Sequence, residues 1–520
     1  MLLDALQLAI GEHAVRTDAP ALALAASDLY SSGAPPLAVV RPADSRGVAA
    51  AVAVATSHGC AVIPRGGGLS YTGGYVSPAG RAITVDLGGL NRILAIDADD
   101  LYVTAQSGVT WKQLYEALRP HGLRLPFFGT ISGAGATLGG GLSHGALFFG
   151  SARHGSAADC TLGLEVALAD GTLLRTGLGA LARPSKPVLR TFGPDLTGLL
   201  LHDGGAFGVK TEATLRLIQA PSHVEYGSFH YSGLADAAGA LSAIARTEAA
   251  EDLYILDAAS IAAAVNASSG ADRVRTAWHV ARASGGPAHA TRALWSLARG
   301  SFRPAPGSGY TVHVVAAGRS APATTADMAL ARRLAIRHGG CEIEPTIPRV
   351  ARAELFAGLN GVLDQDGRRW AALNAKVAHS DARALIEAFD RTLAPHRPAM
   401  ARHGVSVTRL CSALGSLAFS FECVFHWPDT WLPLHRAAPD PAWLATLAEP
   451  APNPAARELV AALRAETVAL FRDLGAASNQ IGRTYHFLDA LAPASAALLA
   501  QLKHVLDPQG LMNPGVLGLG

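Results

Sequence analysis

Several features that would assign the chain to a particular compartment or partner are scarce or missing. Its five cysteines are scattered and form neither a CxxC pair nor a metal-ligand spacing, which favours reduced, mostly buried thiols. The 43 basic and 41 acidic residues nearly cancel, so no charge excess predicts nucleic-acid binding. No apolar run is long enough for a membrane span. The first residues lack the basic start and continuous apolar core of a signal peptide, so we expect a cytoplasmic protein.

The composition is that of a folded protein with large cores. Hydrophobic residues make up 49% of the chain and charged residues 16%, which is typical of globular rather than disordered proteins. A length of 520 residues predicts more than one domain. No internal period repeats along the chain, which argues against a solenoid or a propeller.

The most informative stretch is residues 64–74, Pro-Arg-Gly-Gly-Gly-Leu-Ser-Tyr-Thr-Gly-Gly, which follows the apolar run at 61–63. Glycines permit backbone conformations that turn successive N–H groups toward one anion, so the stretch predicts a cradle for a diphosphate. A strand-like segment at 81–87 follows instead of a helix, which disfavours a Rossmann fingerprint, and no Gly-Lys-Ser/Thr follows as in a P-loop. A glycine-rich hairpin without a ligand is the alternative at this point.

A second glycine-rich run lies at residues 130–145, Thr-Ile-Ser-Gly-Ala-Gly-Ala-Thr-Leu-Gly-Gly-Gly-Leu-Ser-His-Gly. It is followed by a strand-like segment at 162–168 and an Asp-Gly turn at 170–171. Two cradles separated by regular structure favour a long ligand that carries two phosphates.

At this point the sequence resembles the FAD-linked oxidases of the vanillyl-alcohol oxidase and p-cresol methylhydroxylase type, which include glycolate oxidase subunits and D-lactate dehydrogenases. The resemblance covers residues 35–220 and the last forty, whereas the middle of the chain matches only loosely. Three of its motifs lie in the first part of the chain: residues 64–74, Ala-Thr-Leu-Gly-Gly-Gly at 136–141, and Leu-Glu-Val through Asp-Gly to Arg-Thr-Gly at 164–177. A fourth is Gly-Ala-Phe-Gly-Val-Lys-Thr-Glu-Ala-Thr at 205–214. The fifth is in the tail, Leu-Asp-Pro-Gln-Gly-Leu-Met-Asn-Pro-Gly at 506–515.

The resemblance implies an α+β fold in three parts. Residues 1–219 would form an FAD-binding domain of two subdomains split near 130, residues 220–477 an α+β cap domain, and residues 478–520 a segment that returns to the FAD-binding domain. The cofactor implied is FAD. The residues expected to bind it are Pro64, Arg65, Gly66, Gly67, Gly68, Leu69, Ser70, Gly73, Thr130, Ser132, Gly133, Thr137, Gly139, Gly140, Ser143, His144, Gly208, Val209 and Asn513.

Two departures from the family bear on how the flavin is attached and on whether a metal is bound. Many relatives hold the flavin covalently through a histidine of the first glycine loop, but Leu69 stands at the matching position. This favours non-covalent FAD, with attachment through a cap-domain histidine as the alternative. The metal-dependent 2-hydroxy acid dehydrogenases carry a Glu-His pair before Ile-Gly in the tail. Here Ser-Asn-Gln at 478–480 precedes Ile481, so we expect no metal.

Two polar segments are candidates for the chemistry. In the tail, Arg483 could grip a carboxylate, Tyr485 could hydrogen-bond a substrate oxygen and His486 could act as a base. On a predicted cap strand, the period-2 alternation places Glu422 and His426 on one face, where they could form a base and its orienting partner. A solvated arginine and a structural core histidine are the alternatives. Two further cap residues are weaker options, Asn374 and Lys376.

These observations predict an enzyme that oxidises CH–OH groups with FAD. The leading substrate class is a small alcohol or 2-hydroxy acid resembling D-lactate or glycolate, with Arg483 as the carboxylate anchor and His426 or His486 as the proton acceptor. Para-substituted phenols are the alternative substrates, and a flavin-binding subunit without its own turnover is the alternative from another class. The partners expected are a small-molecule substrate and an electron acceptor left open between oxygen, quinone and cytochrome. A homodimer is the candidate assembly.

Overall fold

A computed structural model describes residues 1–77, 80–184, 186–261 and 309–519. The helices are α1 (Leu2–Ile10), α2 (Ala19–Ala25), α3 (Ser45–Ser57), α4 (Trp111–Leu118), α5 (Leu138–His144), α6 (Ser151–His154), α7 (Leu196–Leu199), α8 (Leu234–Ala245), α9 (Ala321–Arg337), α10 (Thr346–Ala353), α11 (Ala382–Leu393), α12 (Arg397–His403), α13 (Pro433–Ala437), α14 (Pro441–Leu444), α15 (Pro454–Asp473) and α16 (Pro493–Leu506). The strands are β1 (Val15–Arg16), β2 (Ala38–Val40), β3 (Ala61–Arg65), β4 (Ala82–Asp86), β5 (Ile93–Asp97), β6 (Tyr102–Gln106), β7 (Leu123–Arg124), β8 (Thr161–Ala167), β9 (Leu173–Arg175), β10 (Val209–Arg216), β11 (Ile218–Gln219), β12 (His223–Tyr231), β13 (Asp252–Asp257), β14 (Tyr310–Gly318), β15 (Cys341–Ile343), β16 (Arg369–Ala378), β17 (Ser406–Leu414) and β18 (Ala418–Trp427).

The first sheet has the order β1-β2-β4-β3 and places the first glycine loop. β2 and β3 each pair in parallel with β4, while β1 is antiparallel to β2. α3 starts at the N-cap Asp44, whose side chain accepts from the N–H of Gly47, and buries its Ala/Val face in the same core as β2 and β4. The glycine loop begins where β3 ends at Arg65, at the carboxyl edge of the parallel strands.

The second sheet, β5-β6-β10-β8-β9, is antiparallel throughout. Its strands β5 and β6 precede residue 130, so the two sheets divide between Asp86 and Ile93, and the expected split near 130 is wrong. Alternating apolar residues reveal that a segment is a strand but not which strand it pairs with, and the pairing of β6 with β10 is formed across more than a hundred residues. The other domain bounds stay a prediction.

The third sheet has seven antiparallel strands in the order β15-β12-β14-β13-β17-β18-β16. Helices α8, α9, α11 and α15 pack on one of its faces. Phe421 of β18 points to that side and contacts the rings of Phe389 on α11 and Phe471 on α15. Because side chains alternate along a strand, Ser420 and Glu422 point to the opposite face, which covers the glycine loops.

The tail runs beside the first sheet. The N–H of Val62 donates to the carbonyl of Leu511 at 2.9 Å, and the N–H of Asn513 donates back to the carbonyl of Val62 at 2.9 Å. Lys503 of α16 is buried and donates to the carbonyls of Ala206 and Met512 at 2.7 and 2.8 Å. The tail thereby connects the first sheet with the loop that precedes β10.

Sheets and helices segregated into layers make this an α+β fold, as the sequence predicted. All five cysteines are free, with Cys341 exposed and the other four buried. Within the described ranges, no helix combines the length and the apolar character that crossing a membrane requires.

Candidate active site

A cavity of about 400 Å³ lies between the two glycine loops and the inner face of the seven-stranded sheet. Residues 66–71 with Gly204, Gly205 and Gly208 line it from the side of the first loop, and side chains of β16, β17 and β18 line it from the side of the sheet. The second glycine loop and α5 contribute further residues to the lining. The cavity therefore joins the predicted diphosphate cradle to the candidate residues of the cap.

The first glycine loop presents free backbone donors to this cavity. The N–H groups of residues 66–69 donate to no acceptor among the described residues, whereas the neighbouring N–H of Ser70 donates to the hydroxyl of Tyr75 at 2.8 Å. A Cβ on Gly67 would lie 1.9 Å from the carbonyl oxygen of Gly135, so only glycine allows the two loops to pack this closely. Consecutive free N–H groups of this kind are suited to an anion.

The second loop leads into α5, and two polar side-chain atoms, one on α5 and one on the adjacent α4, are unpaired at the cavity. Thr137 caps α5 by accepting from the N–H of Gly140 at 3.3 Å. The buried Nε1 of Trp111 and Nδ1 of His144 have no hydrogen-bond partner within the described ranges, and both residues line the cavity. Burial lowers the pKa of His144 to about 4, so its ring is neutral at pH 7.

These features fit FAD: free amides for a diphosphate, a cavity that extends from these amides to the cap sheet, and unpaired buried polar atoms that a polar ring system would satisfy. The structure places most of the predicted cofactor residues at the cavity. Those that line it are Pro64, Gly66, Gly67, Gly68, Leu69, Ser70, Thr130, Ser132, Thr137, Gly139, Gly140, Ser143, His144 and Gly208.

Five of the predicted cofactor residues do not line the cavity. Arg65 turns away, donates to the carbonyl of Ser27 at 2.9 Å and stacks on Tyr75. Gly73 donates to Asp28, Gly133 packs against Phe356, and Val209 is fully buried in β10. Asn513 is buried and donates to the carbonyls of Gly74 and Gly204 at 2.7 Å each, so it ties the tail to the cradle. These five residues therefore contact other parts of the protein and do not face the cavity.

Glu422 is the predicted chemical residue that the structure places in the cavity. The hydroxyl of Tyr71 donates to its carboxylate across 3.4 Å. Gln480 of the tail donates from Nε2 to the Tyr71 oxygen at 2.9 Å and accepts from the hydroxyl of Ser70 at 3.0 Å. Desolvation raises the pKa of Glu422 to about 7, although the Tyr71 hydrogen bond acts in the opposite direction. A carboxyl that titrates near neutral pH can accept and release a proton.

The surroundings of Glu422 are mostly apolar or uncharged. Leu410, Ser412 and Ser420 lie on the same sheet face, and Trp370 of β16 lies against Tyr71 with ring centroids 5.6 Å apart. The indole N–H of Trp370 donates to the carbonyl of Gly361 at 2.8 Å, which holds a cavity-lining loop in place. This end of the cavity is suited to a substrate with an apolar body and a hydroxyl group.

The predicted role of Arg483 in binding a substrate carboxylate is wrong for this structure. Its guanidinium donates five hydrogen bonds, to the carbonyls of Gly73 and Val76, twice to that of Pro514, and to Oδ1 of Asn513. All of its N–H groups are thereby used, and the side chain does not line the cavity. Sequence alone could not show that backbone carbonyls would occupy this arginine.

The other three predicted residues also lie outside the cavity. Tyr485 is buried, with its hydroxyl accepting from the N–H of Asn374 at 2.7 Å and donating to the carbonyl of Asn374 at 3.1 Å. His426 shares a strand face with Glu422 but lies at the strand's far end, between Asp364 and Thr408. His486 is exposed on another surface. Tyr485 and His426 therefore have structural contacts in place of the predicted chemical ones.

The sequence reasoning missed several residues that line the substrate end. Tyr71 and Gln480 stood inside segments already singled out, but their mutual contact spans 409 positions of chain. Ser412 and Ser420 could have been found from the same period-2 alternation that identified Glu422. Trp111 and Trp370 gave no signal, because an aromatic residue in a regular element is most often part of the core.

Two family models match the chain. The family described as FAD binding domain matches residues 36–177, and the family described as FAD linked oxidases, C-terminal domain, matches residues 484–517. The first contains both glycine loops, and the second contains the tail that holds them.

Curated relatives match over part of the chain. The mitochondrial D-lactate dehydrogenase (cytochrome) of Kluyveromyces lactis is 30% identical over 183 residues, which cover 35% of this chain and 30% of that protein. The glycolate oxidase subunit GlcD of Bacillus subtilis is 31% identical over 186 residues, covering 36% of this chain and 38% of that one. The matched region thus spans about a third of the length of these relatives.

Solved structures match over the whole length. p-Cresol methylhydroxylase with its substrate bound has a TM-score of 0.75 at 16% identity and covers 100% of this chain and 96% of its own. The 4-ethylphenol oxidase of Gulosibacter chungangensis has a TM-score of 0.72 at 19% identity, with the same coverage. At such low identity these likenesses show the fold.

Proposed function

We propose that this chain, which has the FAD-binding domain, the C-terminal domain and the α+β fold of the FAD-linked oxidases of the p-cresol methylhydroxylase type, is an FAD-dependent oxidoreductase that oxidises a small alcohol or 2-hydroxy acid. The observation that carries the proposal is one cavity that connects four free backbone N–H groups at residues 66–69 to the half-buried carboxyl of Glu422. A cofactor cradle and a proton acceptor in one cavity are the two parts that such an oxidation requires.

The chain's own residues would hold FAD from two sides. The N–H groups of 66–69 would donate to the diphosphate, and Thr137, Ser143 and His144 line the same cavity. When bound, FAD supplies the acceptor for the hydride equivalent that leaves the substrate carbon. We propose that the cofactor is held without a covalent bond, because within the described ranges His144 is the cavity's histidine and the loop position expected for an attachment is Leu69.

Glu422 would take the hydroxyl proton of the substrate. As the C–H bond breaks and the carbon–oxygen double bond forms, the O–H proton moves to the carboxylate of Glu422. Tyr71 fixes the position of that carboxylate by donating to it, and Gln480 fixes Tyr71 in turn. Leu410 and Trp370 contribute apolar wall to the same cavity.

A second candidate is the oxidation of a para-substituted phenol. The rings of Tyr71 and Trp370 at the cavity wall favour an aromatic substrate body. Contact between Tyr485 and a phenolate would have strengthened this candidate, but that hydroxyl is bound to the backbone of Asn374. A flavin-binding subunit without turnover is less well supported, because such a protein has no use for a desolvated carboxyl in its cavity.

The setting of the reaction also belongs to the proposal. We place the protein in the cytoplasm, with oxygen, a quinone or a cytochrome as the acceptor that reoxidises the flavin, and with a homodimer as the candidate assembly. The outer domain bounds, 1–219, 220–477 and 478–520, are retained as the working division.

An anaerobic absorbance scan tests the proposal. Purified protein supplied with FAD is mixed with D- and L-2-hydroxy acids, alcohols and para-substituted phenols, and bleaching of the flavin band is followed. We expect one group of compounds to bleach the band in the wild type and to bleach it far more slowly in Glu422→Gln. A protein that binds no FAD contradicts the proposal, and a flavin that no compound reduces favours the non-catalytic subunit.

A further inference from the structure

The ionisable groups that line the cavity include no uncommitted cation within the described ranges. Those groups are Tyr71, Tyr75, His144, Lys210 and Glu422. Lys210 is buried in an ion pair with Asp203, and the lowered pKa of His144 keeps its ring neutral. The substrate end therefore offers a carboxyl group and hydroxyl groups, but no positive charge to an anion.

The arginines nearest to Glu422 are committed elsewhere. Arg464 is buried behind Tyr71 and donates to the carbonyls of Ala372 and Tyr71 at 2.9 and 3.0 Å. Arg409 lies on the helix face of β17, where it pairs with Asp390 and stacks on Phe389. Neither guanidinium reaches the cavity.

The remaining titratable neighbours of Glu422 are neutral, or lie beside the next cavity-facing residue along the strand rather than beside Glu422 itself. Burial raises the pKa of Cys411 on the adjacent strand β17 and of Cys423 on β18 itself well above neutral pH, and that of Tyr71 also rises. Lys376 stands beside Ser420 on the cavity face of the sheet but does not line the cavity. Desolvation lowers its pKa to about 8, so its surroundings stabilise a positive charge poorly.

We infer that the substrate is an uncharged alcohol with an apolar body, and that a carboxylate or a phenolate is rejected beside Glu422. The inference rests on the proposed function and names the substrate class of the same site. A second anion within hydrogen-bond distance of a desolvated carboxylate is strongly repelled, because little solvent or counter-charge screens the pair. An uncharged hydroxyl group instead donates to Glu422 and brings no charge with it.

The reaction balances with an uncharged substrate throughout. The alcohol loses a hydride equivalent from carbon to FAD and its hydroxyl proton to Glu422, which leaves a neutral aldehyde or ketone. Glu422 then releases the proton to solvent, and the electron acceptor reoxidises the flavin. Since the substrate is neutral, it enters the apolar cavity without the cost of desolvating a charge. The product is also neutral and leaves without carrying a charge.

Isothermal titration calorimetry on the FAD-loaded protein tests the inference without relying on turnover. The probes are matched pairs that share a skeleton and differ in one charge: 1-phenylethane-1,2-diol against mandelate, and propane-1,2-diol against lactate. The proteins are the wild type, Glu422→Gln and the control Glu387→Gln, which removes one exposed carboxylate from α11. Titrations are run at pH 6 and pH 8, on either side of the pKa of Glu422.

We expect the diol of a pair to bind the wild type at both pH values and the acid to bind at least tenfold more weakly at pH 8. The affinity of the wild type for the acid should rise about tenfold when the pH is lowered to 6, and the affinity at pH 8 should rise similarly in Glu422→Gln. The control Glu387→Gln should bind the acid as the wild type does. Tighter binding of the acid by the wild type at pH 8 would overturn the inference, as would a panel in which no diol binds. If the acid's binding disappears in Lys376→Met, the anchor is that lysine and the inference is wrong.

Flavin bleaching separates this inference from the proposed function. A diol that binds in preference to its acid, with no bleaching by any compound, supports the inference on the cavity and removes the proposed oxidation. Bleaching by lactate or mandelate but not by their diols supports the oxidation and overturns the inference.

Discussion

The hydroxyl of Tyr71, in the first glycine loop, donates a hydrogen bond to the carboxylate of Glu422, on the cap sheet, across 3.4 Å. The two residues are separated by 351 positions in the chain. Their contact places a carboxyl with a pKa near neutrality at the end of the cavity that begins at the cradle.

Replacing Tyr71 with phenylalanine should shift the pH dependence of the reaction. The hydrogen bond from Tyr71 lowers the pKa of Glu422, so its removal raises that pKa further above 7. The carboxylate fraction at pH 7 then falls, and flavin reduction should slow several-fold and recover at higher pH. The measurement is the pH profile of anaerobic reduction, with Tyr102→Phe as the control away from the cavity. If the pH midpoint of flavin reduction is the same in Tyr71→Phe and the wild type, Glu422 is not the proton acceptor.

Arg483→Lys should lower the free energy of unfolding by about 2–4 kcal/mol, because lysine cannot replace five hydrogen bonds to partly buried acceptors. Urea denaturation measures the loss, and the exposed Arg472→Lys is the matched control. A variant as stable as the wild type but with a selectively raised KM for carboxylate substrates would restore the substrate-binding role that the sequence predicted.

Gly67→Ala should weaken FAD binding while leaving the fold intact. The added Cβ would lie 1.9 Å from the carbonyl oxygen of Gly135, so the two loops must separate. We expect at least a tenfold rise in the Kd for FAD, measured by quenching of flavin fluorescence. Gly179→Ala is the control, because its Cβ would meet its nearest atom, Cβ of Arg175, at 3.9 Å. Equal affinities in the two variants would show that the close approach is not needed.

Stability should fall on acidification below about pH 6.5. Burial lowers the pKa of His313 to about 3 and that of His144 to about 4, so these rings stay neutral in the fold while the unfolded chain takes up protons. Each histidine therefore favours unfolding as the pH falls from 6.5 toward the pKa of its ring in the folded protein. The raised pKa of Glu422 acts in the opposite direction between about 7 and 4.5. Urea denaturation at pH 7.5 and pH 5 measures the net slope.

His313→Asn should flatten that slope, because the variant has no ring to protonate in the unfolded chain. An identical slope in the variant and the wild type would mean that other groups govern the acid response.

Features with local causes could be predicted from the sequence. The glycine loops were found because close approach and positive φ require glycine at particular positions, and Gly68 indeed has a φ of 71°. The alternation along β18 predicted one strand face for Glu422 and His426, and Glu422 lines the cavity from that face. The same alternation could not separate Glu422 from His426, which lies four residues and about 13 Å further along the strand.

Features that depend on distant partners could not be predicted. The identity of the acceptors around Arg483 depends on how the loop at 73–76 and the tail at 513–514 fold together. The sheet to which β5 and β6 belong depends on β10, which follows them by more than a hundred residues. Side-chain chemistry identifies candidates, whereas contacts between distant segments decide which of them face the cavity.

The hydrogen bond from Asn513 to the carbonyl of Gly74 joins positions 439 residues apart. During synthesis the glycine loop therefore leaves the ribosome more than four hundred residues before the side chain that ties it to the tail. The cradle is completed only after that length of chain has been made, and until then it lacks this hydrogen bond.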